Sequence, residues 1–137
     1  MPVTTRHRRT VQSADRTISR NIHAPYAARR FARTQLLAWN LPDQADVAEL
    51  VVSELVSNAF RHGTGVAIGV RLVLSGGLLT VNVWDANGAA FPALAAMDSL
   101  AENGRGLALV DALSESWGSF PAKPDGKVVW STLKAGQ

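Results

Sequence analysis

The chain contains no cysteine. That removes disulfides, thiolate nucleophiles and cysteine-based zinc centres together, and it agrees with a reducing compartment. Long apolar runs are missing too: no stretch approaches the ~18 residues of a membrane span. The opening Met1-Pro2-Val3-Thr4-Thr5-Arg6 leads into arginines rather than into the apolar segment of a secretion signal. The expectation is a cytoplasmic protein with no membrane partner. Aromatic residues make up only 7%, and none is interleaved among the first arginines in the way a nucleic-acid surface would use them. There is no internal repeat and no low-complexity tract.

What is present suits one folded unit. A length of 137 residues, with 47% hydrophobic and 18% charged residues, is enough for one core and short for two, and too apolar for a disordered chain. The net charge of +3 conceals an asymmetry. Residues 1–33 carry eight arginines against the single acid Asp15, whereas the remainder holds six basic and ten acidic groups. A basic segment on an acidic body is compatible with an acidic partner or a solvated arm, and specific nucleic-acid binding is not expected. Residues 1–12 read as a flexible basic tail and 13–137 as a single domain.

Alternation of polar and apolar side chains over Thr17 to Ile22 predicts a short strand. Ala24-Pro25 then opens a helix, with proline in its tolerated first turn, whose apolar face holds Ala27, Phe31, Thr34 and Ala38. Leu41-Pro42-Asp43 ends it. A second helix, capped by Asp43 or Asp46, runs to His62 and stops at Gly63, a residue suited to the left-handed C-terminal position. Val66, Ile68, Val70, Leu72 and Leu74 recur at period two, and after Ser75-Gly76-Gly77 the pattern resumes with Leu79, Val81 and Val83, which predicts a β-hairpin. Asp85 shares the parity of the core-facing Val81 and Val83. Residues 88–103 show no period and read as a loop. Gly104-Arg105-Gly106 opens a third helix with the stripe Leu107, Val110, Leu113 and Trp117, and Trp117–Phe120 with Lys127–Leu133 forms a last hairpin. The expected fold class is α/β (α+β): a two-layer sandwich of a mixed, mainly antiparallel sheet with helices on one face.

Three features carry chemistry. On a helical wheel at 100° per residue, Val47, Leu50, Val51 and Leu55 define the apolar stripe of the second helix, and Glu54, Asn58 and His62 fall within it. An acid in a core-facing stripe needs a partner or a polar cavity. Glu54 is therefore either a structural carboxylate or a functional one, and His62 is either a capping histidine or part of a site. Gly104-Arg105-Gly106 at a helix start presents backbone N–H groups and the positive end of the helix dipole, which suits a phosphate but equally describes a plain turn. It is neither a Walker loop nor a dinucleotide fingerprint. Asp85, followed by Asn87-Gly88, either starts a turn or ends a strand row in a pocket.

Taken in order, these residues resemble the GHKL (Bergerat-fold) ATPases, the superfamily of gyrase, MutL and the histidine kinases. More narrowly they are similar to the small bacterial anti-sigma-factor serine kinases, especially the short actinobacterial ATP-binding proteins of that type. The segment Glu54-Leu55-Val56-Ser57-Asn58-Ala59-Phe60-Arg61-His62-Gly63 resembles the family's N box. Gly104-Arg105-Gly106-Leu107-Ala108-Leu109-Val110 resembles its second glycine box, and the likeness spans roughly residues 17–133. The usual Asp-x-Gly-x-Gly reads here Asp85-Ala86-Asn87-Gly88-Ala89.

The resemblance implies ATP and Mg²⁺ as cofactors, with Glu54 as base and Asn58 as metal ligand. It implies that Asp85 accepts a hydrogen bond from the adenine amino group, and that Arg61, His62, Asn87, Gly88, Gly104, Arg105, Gly106 and Leu107 line the nucleotide. Arg105 would also neutralise charge during transfer, and Thr132 is the candidate for a later threonine that contacts adenine. The function implied is an ATP-dependent protein serine kinase that switches between a sigma factor and an anti-sigma-factor antagonist, as a homodimer. The alternative is a regulatory binding module that keeps the fold and transfers no phosphate.

Overall fold

A computed structural model describes residues 10–87, 101–122 and 125–136, and within 101–105 it describes the backbone alone. Its elements, in chain order, are β1 (Gln12–Ser19), α1 (Ala24–Ala38), a 3₁₀ turn (Pro42–Gln44), α2 (Ala45–His62), β2 (Ala67–Ser75), β3 (Leu78–Asp85), α3 (Ala101–Leu113), β4 (Ser116–Ala122) and β5 (Gly126–Lys134). The strands form one five-stranded sheet in the order β1-β2-β3-β5-β4. Every pairing among the described strands is antiparallel, so the sheet is not mixed.

One face of this sheet is apolar and covered. Ile68, Val70 and Leu72 on β2, Leu79, Val81 and Val83 on β3, and Val129 and Leu133 on β5 are all buried. They join Phe31, Leu36, Val51, Val52, Leu55 and Val56 from α1 and α2 in one core. The period-two pattern of the β2–β3 hairpin places these side chains on one side, and the helices lie on that side.

Several elements depart from the sequence expectation, each for a physical reason. The first strand begins at Gln12 rather than Thr17 and ends at Ser19, because pairing with β2 carries it from Gln12↔Leu74 to Ser19↔Ala67. Backbone pairing, not side-chain alternation, sets its length. The chain then turns at Asn21, whose Oδ1 accepts the N–H of His23 at 2.8 Å. Strand β1 thus begins at the last residue of the expected tail, and residues 1–9 lie outside the described part.

The buried face of α1 is Ala24, Ala28, Phe31, Ala32 and Leu36, rotated from the expected Ala27, Thr34 and Ala38, which are exposed. Ala28 and Ala32 share one buried core with Ala45 and Ala48 of α2. Helix α1 ends before Leu41-Pro42: Asn40 adopts φ 63°. The N–H of Asn40 reaches Leu37 O at 3.0 Å and that of Leu41 reaches Leu36 O at 2.8 Å. This is a Schellman arrangement with asparagine in the left-handed position.

No side chain caps α2. The 3₁₀ turn feeds directly into it, and Asp46 instead accepts from Arg33 Nη2 at 2.5 Å, while Glu49 accepts from Arg33 Nε. Among the described residues, no helix is long and apolar enough to cross a membrane.

Candidate functional site

The buried face of α2 is Ala45, Ala48, Val51, Val52, Leu55, Val56 and Ala59, with Ser53 and Asn58 among the buried polar residues. Val47 and Leu50, expected in the apolar stripe, are 37% and 41% exposed. The core-facing stripe is therefore rotated from the expected one. Glu54 and Asn58 sit at its margin rather than in its middle, Glu54 half-buried and Asn58 buried. Asn58 follows Glu54 by four residues, about one helical turn, so the two side chains stack on one flank. Arg61 and His62 are exposed: Arg61 points away from the buried face, and His62, although on that face, is the last residue of the helix.

Helix α3 packs against that flank. A Cβ built on Gly106 would stand 2.4 Å from Glu54 Oε1, so with glycine there the carboxylate keeps its place against this helix, and a larger residue would make the end of the Glu54 side chain shift. The structure thus joins the two motifs at Glu54 and Gly106, 52 positions apart, and Leu107, the next residue, is buried in the core. Helix α3 starts at Ala101, three residues before the expected start at Gly104. Gly104, Arg105 and Gly106 therefore lie inside the helix, at its fourth to sixth positions. Ala101, Glu102 and Asn103 supply the turn that the glycines alone would not nucleate. Helix α3 ends at Leu113, so Trp117 of the expected stripe belongs to β4 and packs on the core from there.

The other end of the site lies where α2 stops and β3 ends. Gly63 has φ −78° and ψ 176°, extended rather than left-handed. Its requirement for glycine is spatial: a Cβ there would lie 2.4 Å from Ala59 O and 3.0 Å from Asp85 Cβ. The end of α2 therefore rests directly on Asp85. Asn87 ties the junction, donating from Nδ2 to His62 O at 2.7 Å and from its backbone N–H to Asp85 Oδ1 at 2.8 Å.

Asp85 is 1% exposed, and so is Lys127, its partner across the β3–β5 ladder. Lys127 Nζ donates to Asp85 Oδ2 at 2.8 Å and to Oδ1 at 3.0 Å, and its third contact is Asn87 O at 3.2 Å. Sequence reasoning missed Lys127. Its parity was the available signal, since Lys127, Val129, Ser131 and Leu133 alternate on the buried side of β5.

Thr132 is not brought to this group. It lies five residues further along β5, roughly 17 Å at strand rise, and on the opposite face. There its hydroxyl shares a hydrogen bond with Ser116 Oγ at 2.8 Å. Gly88 lies outside the described residues, and so does the side chain of Arg105.

The arginines near the start find rings that the linear sequence did not show beside them. Arg16 lies over Phe31 at 5.1 Å and Arg20 over Phe60 at 6.0 Å, while Arg29 and Arg30 each stand 5.8 Å from Tyr26. These contacts hold charged side chains against the surface of the domain.

As a metal site the donor set is sparse: among the described residues, no three His, Cys, Asp or Glu side chains cluster. That fits Mg²⁺, which is commonly held by one or two protein oxygens plus the phosphates of a nucleotide. Asn58 and Glu54 offer such oxygens beside a glycine-faced helix. These oxygens fit a Mg²⁺ held together with phosphates, while the carboxylate of Asp85 is already paired with Lys127.

Comparison with known proteins bears on the fold and the family of the chain. Among solved structures, the chain matches the crystal structure of the RsbU and RsbW domains of Rv1364c from Mycobacterium tuberculosis, with a TM-score of 0.69 and 20% identity. The match covers 92% of this chain and 33% of that one, so the chain spans about a third of its length. No curated protein matches the sequence. The family described as "Histidine kinase-like ATPase domain" matches residues 19–133, and the chain belongs to that family.

Proposed function

We propose that the chain is an ATP-dependent protein serine kinase of the anti-sigma-factor type. In this reading it acts in the cytoplasm as a homodimer and exchanges between a sigma factor and the antagonist protein that it phosphorylates. The observation that carries the reading is the placement of Glu54 and Asn58 one turn apart on α2, with Glu54 against Gly106 of α3. Family membership and the shared fold support it.

Each residue has a role in this account. Glu54 accepts the proton of the acceptor serine hydroxyl, and its packing under α3 holds the carboxylate in place. Asn58 would supply an oxygen to Mg²⁺, which when bound would screen the charge of the phosphates. The unpaired N–H groups of the first turn of α3, Gly104 included, with the Arg105 guanidinium, take up charge that develops on the transferring group. Asp85 accepts from the adenine amino group. Leu107 is buried, and what it contributes is the anchoring of α3 to the core.

One observation favours the alternative reading, a binding module that transfers no phosphate: Asp85 already accepts from Lys127 with both oxygens. Calorimetry tests the site itself. ATP should bind more tightly with Mg²⁺ than without, and Asn58→Ala should lose about tenfold or more of that Mg²⁺-dependent gain while keeping its fold. Equal Mg–ATP affinity in the parent and Asn58→Ala would remove the metal role from Asn58.

A further inference from the structure

We infer that Lys127 is a built-in competitor for the base end of the nucleotide site, a side chain that nucleotide must displace to be read by Asp85. The inference rests on the nucleotide-site reading above and adds a residue to it. A purine amino group can be read by a carboxylate only as a donor to one of its oxygens. Here three of the carboxylate's roughly four acceptor positions are taken from within the chain, and burial closes off the group from solvent.

Oδ1 of Asp85 accepts both Lys127 Nζ and the Asn87 N–H, and Oδ2 accepts Lys127 Nζ. The ammonium in turn spends all three of its N–H groups, the third on Asn87 O. Both side chains are about 1% exposed. A base arriving from solvent therefore meets a charge-neutral, closed pair.

Lysine also differs from a small neutral residue in what leaving entails. Its four-carbon stem lets the ammonium swing outward to water without moving β5. The carboxylate it leaves behind is stable in a buried setting only when another donor takes over. Release of Lys127 and entry of an amino group at Asp85 are thus coupled, and the site selects for ligands that bring such a donor. Phosphate contacts beside Glu54, Asn58 and Gly106 lie outside this exchange.

The test separates the two ends of the site by measuring the affinity of Mg–ATP and of Mg–triphosphate, which has no base. The parent, Lys127→Met and Lys127→Gln are compared, with folding checked by circular dichroism. Gln keeps an N–H for Asp85 and removes the charge. The expected result is a parent that prefers ATP over triphosphate by less than tenfold. In the variants ATP should bind at least tenfold more tightly while triphosphate binding stays unchanged.

An unchanged ATP-to-triphosphate ratio in both variants overturns the competitor role and leaves the nucleotide site standing. Absence of ATP and triphosphate binding in all three proteins overturns the nucleotide site itself, and the competitor role with it. Loss of folding in both variants also overturns the inference, because a side chain that must leave Asp85 cannot be one the fold requires there.

Discussion

Glu54→Gln is expected to fold, to bind Mg–ATP as the parent does, and to transfer phosphate to its protein substrate about 10²- to 10⁴-fold more slowly, the usual cost of removing a general base. The expectation follows from the position of the side chain. Glu54 is half-buried at the margin of the core face of α2, and its Oε1 would lie 2.4 Å from any Cβ at residue 106. A half-buried carboxylate at the edge of the core face, one turn from Asn58, is poorly explained by packing alone. Gln has the same shape and can hydrogen-bond, but it accepts no proton in the relevant range, so binding and chemistry separate. Phosphorylation kinetics with saturating Mg–ATP read the difference. Transfer at the parent rate would place the base elsewhere, and an unfolded variant would make Glu54 a structural carboxylate.

Asp85→Ala should lower the stability of the domain by about 3–5 kcal/mol, the range for removing one partner of a buried ion pair. The loss arises less from the missing attraction than from the ammonium of Lys127 left in the core with only Asn87 O as acceptor. A second change that removes the lysine should return most of it, so Asp85→Ala with Lys127→Met should be more stable than Asp85→Ala alone. The exposed Asp15–Arg71 pair is the natural control. Its side chains are 58% and 60% exposed, water screens their attraction, and Asp15→Asn should leave the urea midpoint close to that of the parent. An Asp85→Ala midpoint equal to the parent's would contradict the buried pair.

How far the sequence foretold the structure depended on whether each feature is local. The β2–β3 hairpin was legible because period-two alternation and Gly76-Gly77 lie within one stretch of chain. The limits of α1 and α2 were close to correct for the same reason. The faces of both helices were misjudged, because burial is set by packing between elements, which no local pattern states. Counting large apolar residues put Val47 and Leu50 inside, whereas Ala28, Ala32, Ala45 and Ala48 are the residues fully buried.

The site divides along the same line. Glu54 and Asn58 were legible because four residues on one helix fix their relation. The pairing of Asp85 with Lys127 spans 42 positions and depends on the register of β3 against β5, which no local pattern states. The glycine pair was read as a helix start because glycine disfavours helix interiors. At Gly106 the absent side chain leaves the Glu54 carboxylate its position against the helix.

The central claim is phosphoryl transfer, and γ-labelled ATP incubated with the parent protein and a panel of candidate antagonist proteins tests it most directly. The expected result is label on a serine of one antagonist, dependent on Mg²⁺ and reduced at least 10²-fold by Glu54→Gln. A parent that binds Mg–ATP and labels no member of the panel would contradict the kinase reading and leave the chain a binding module.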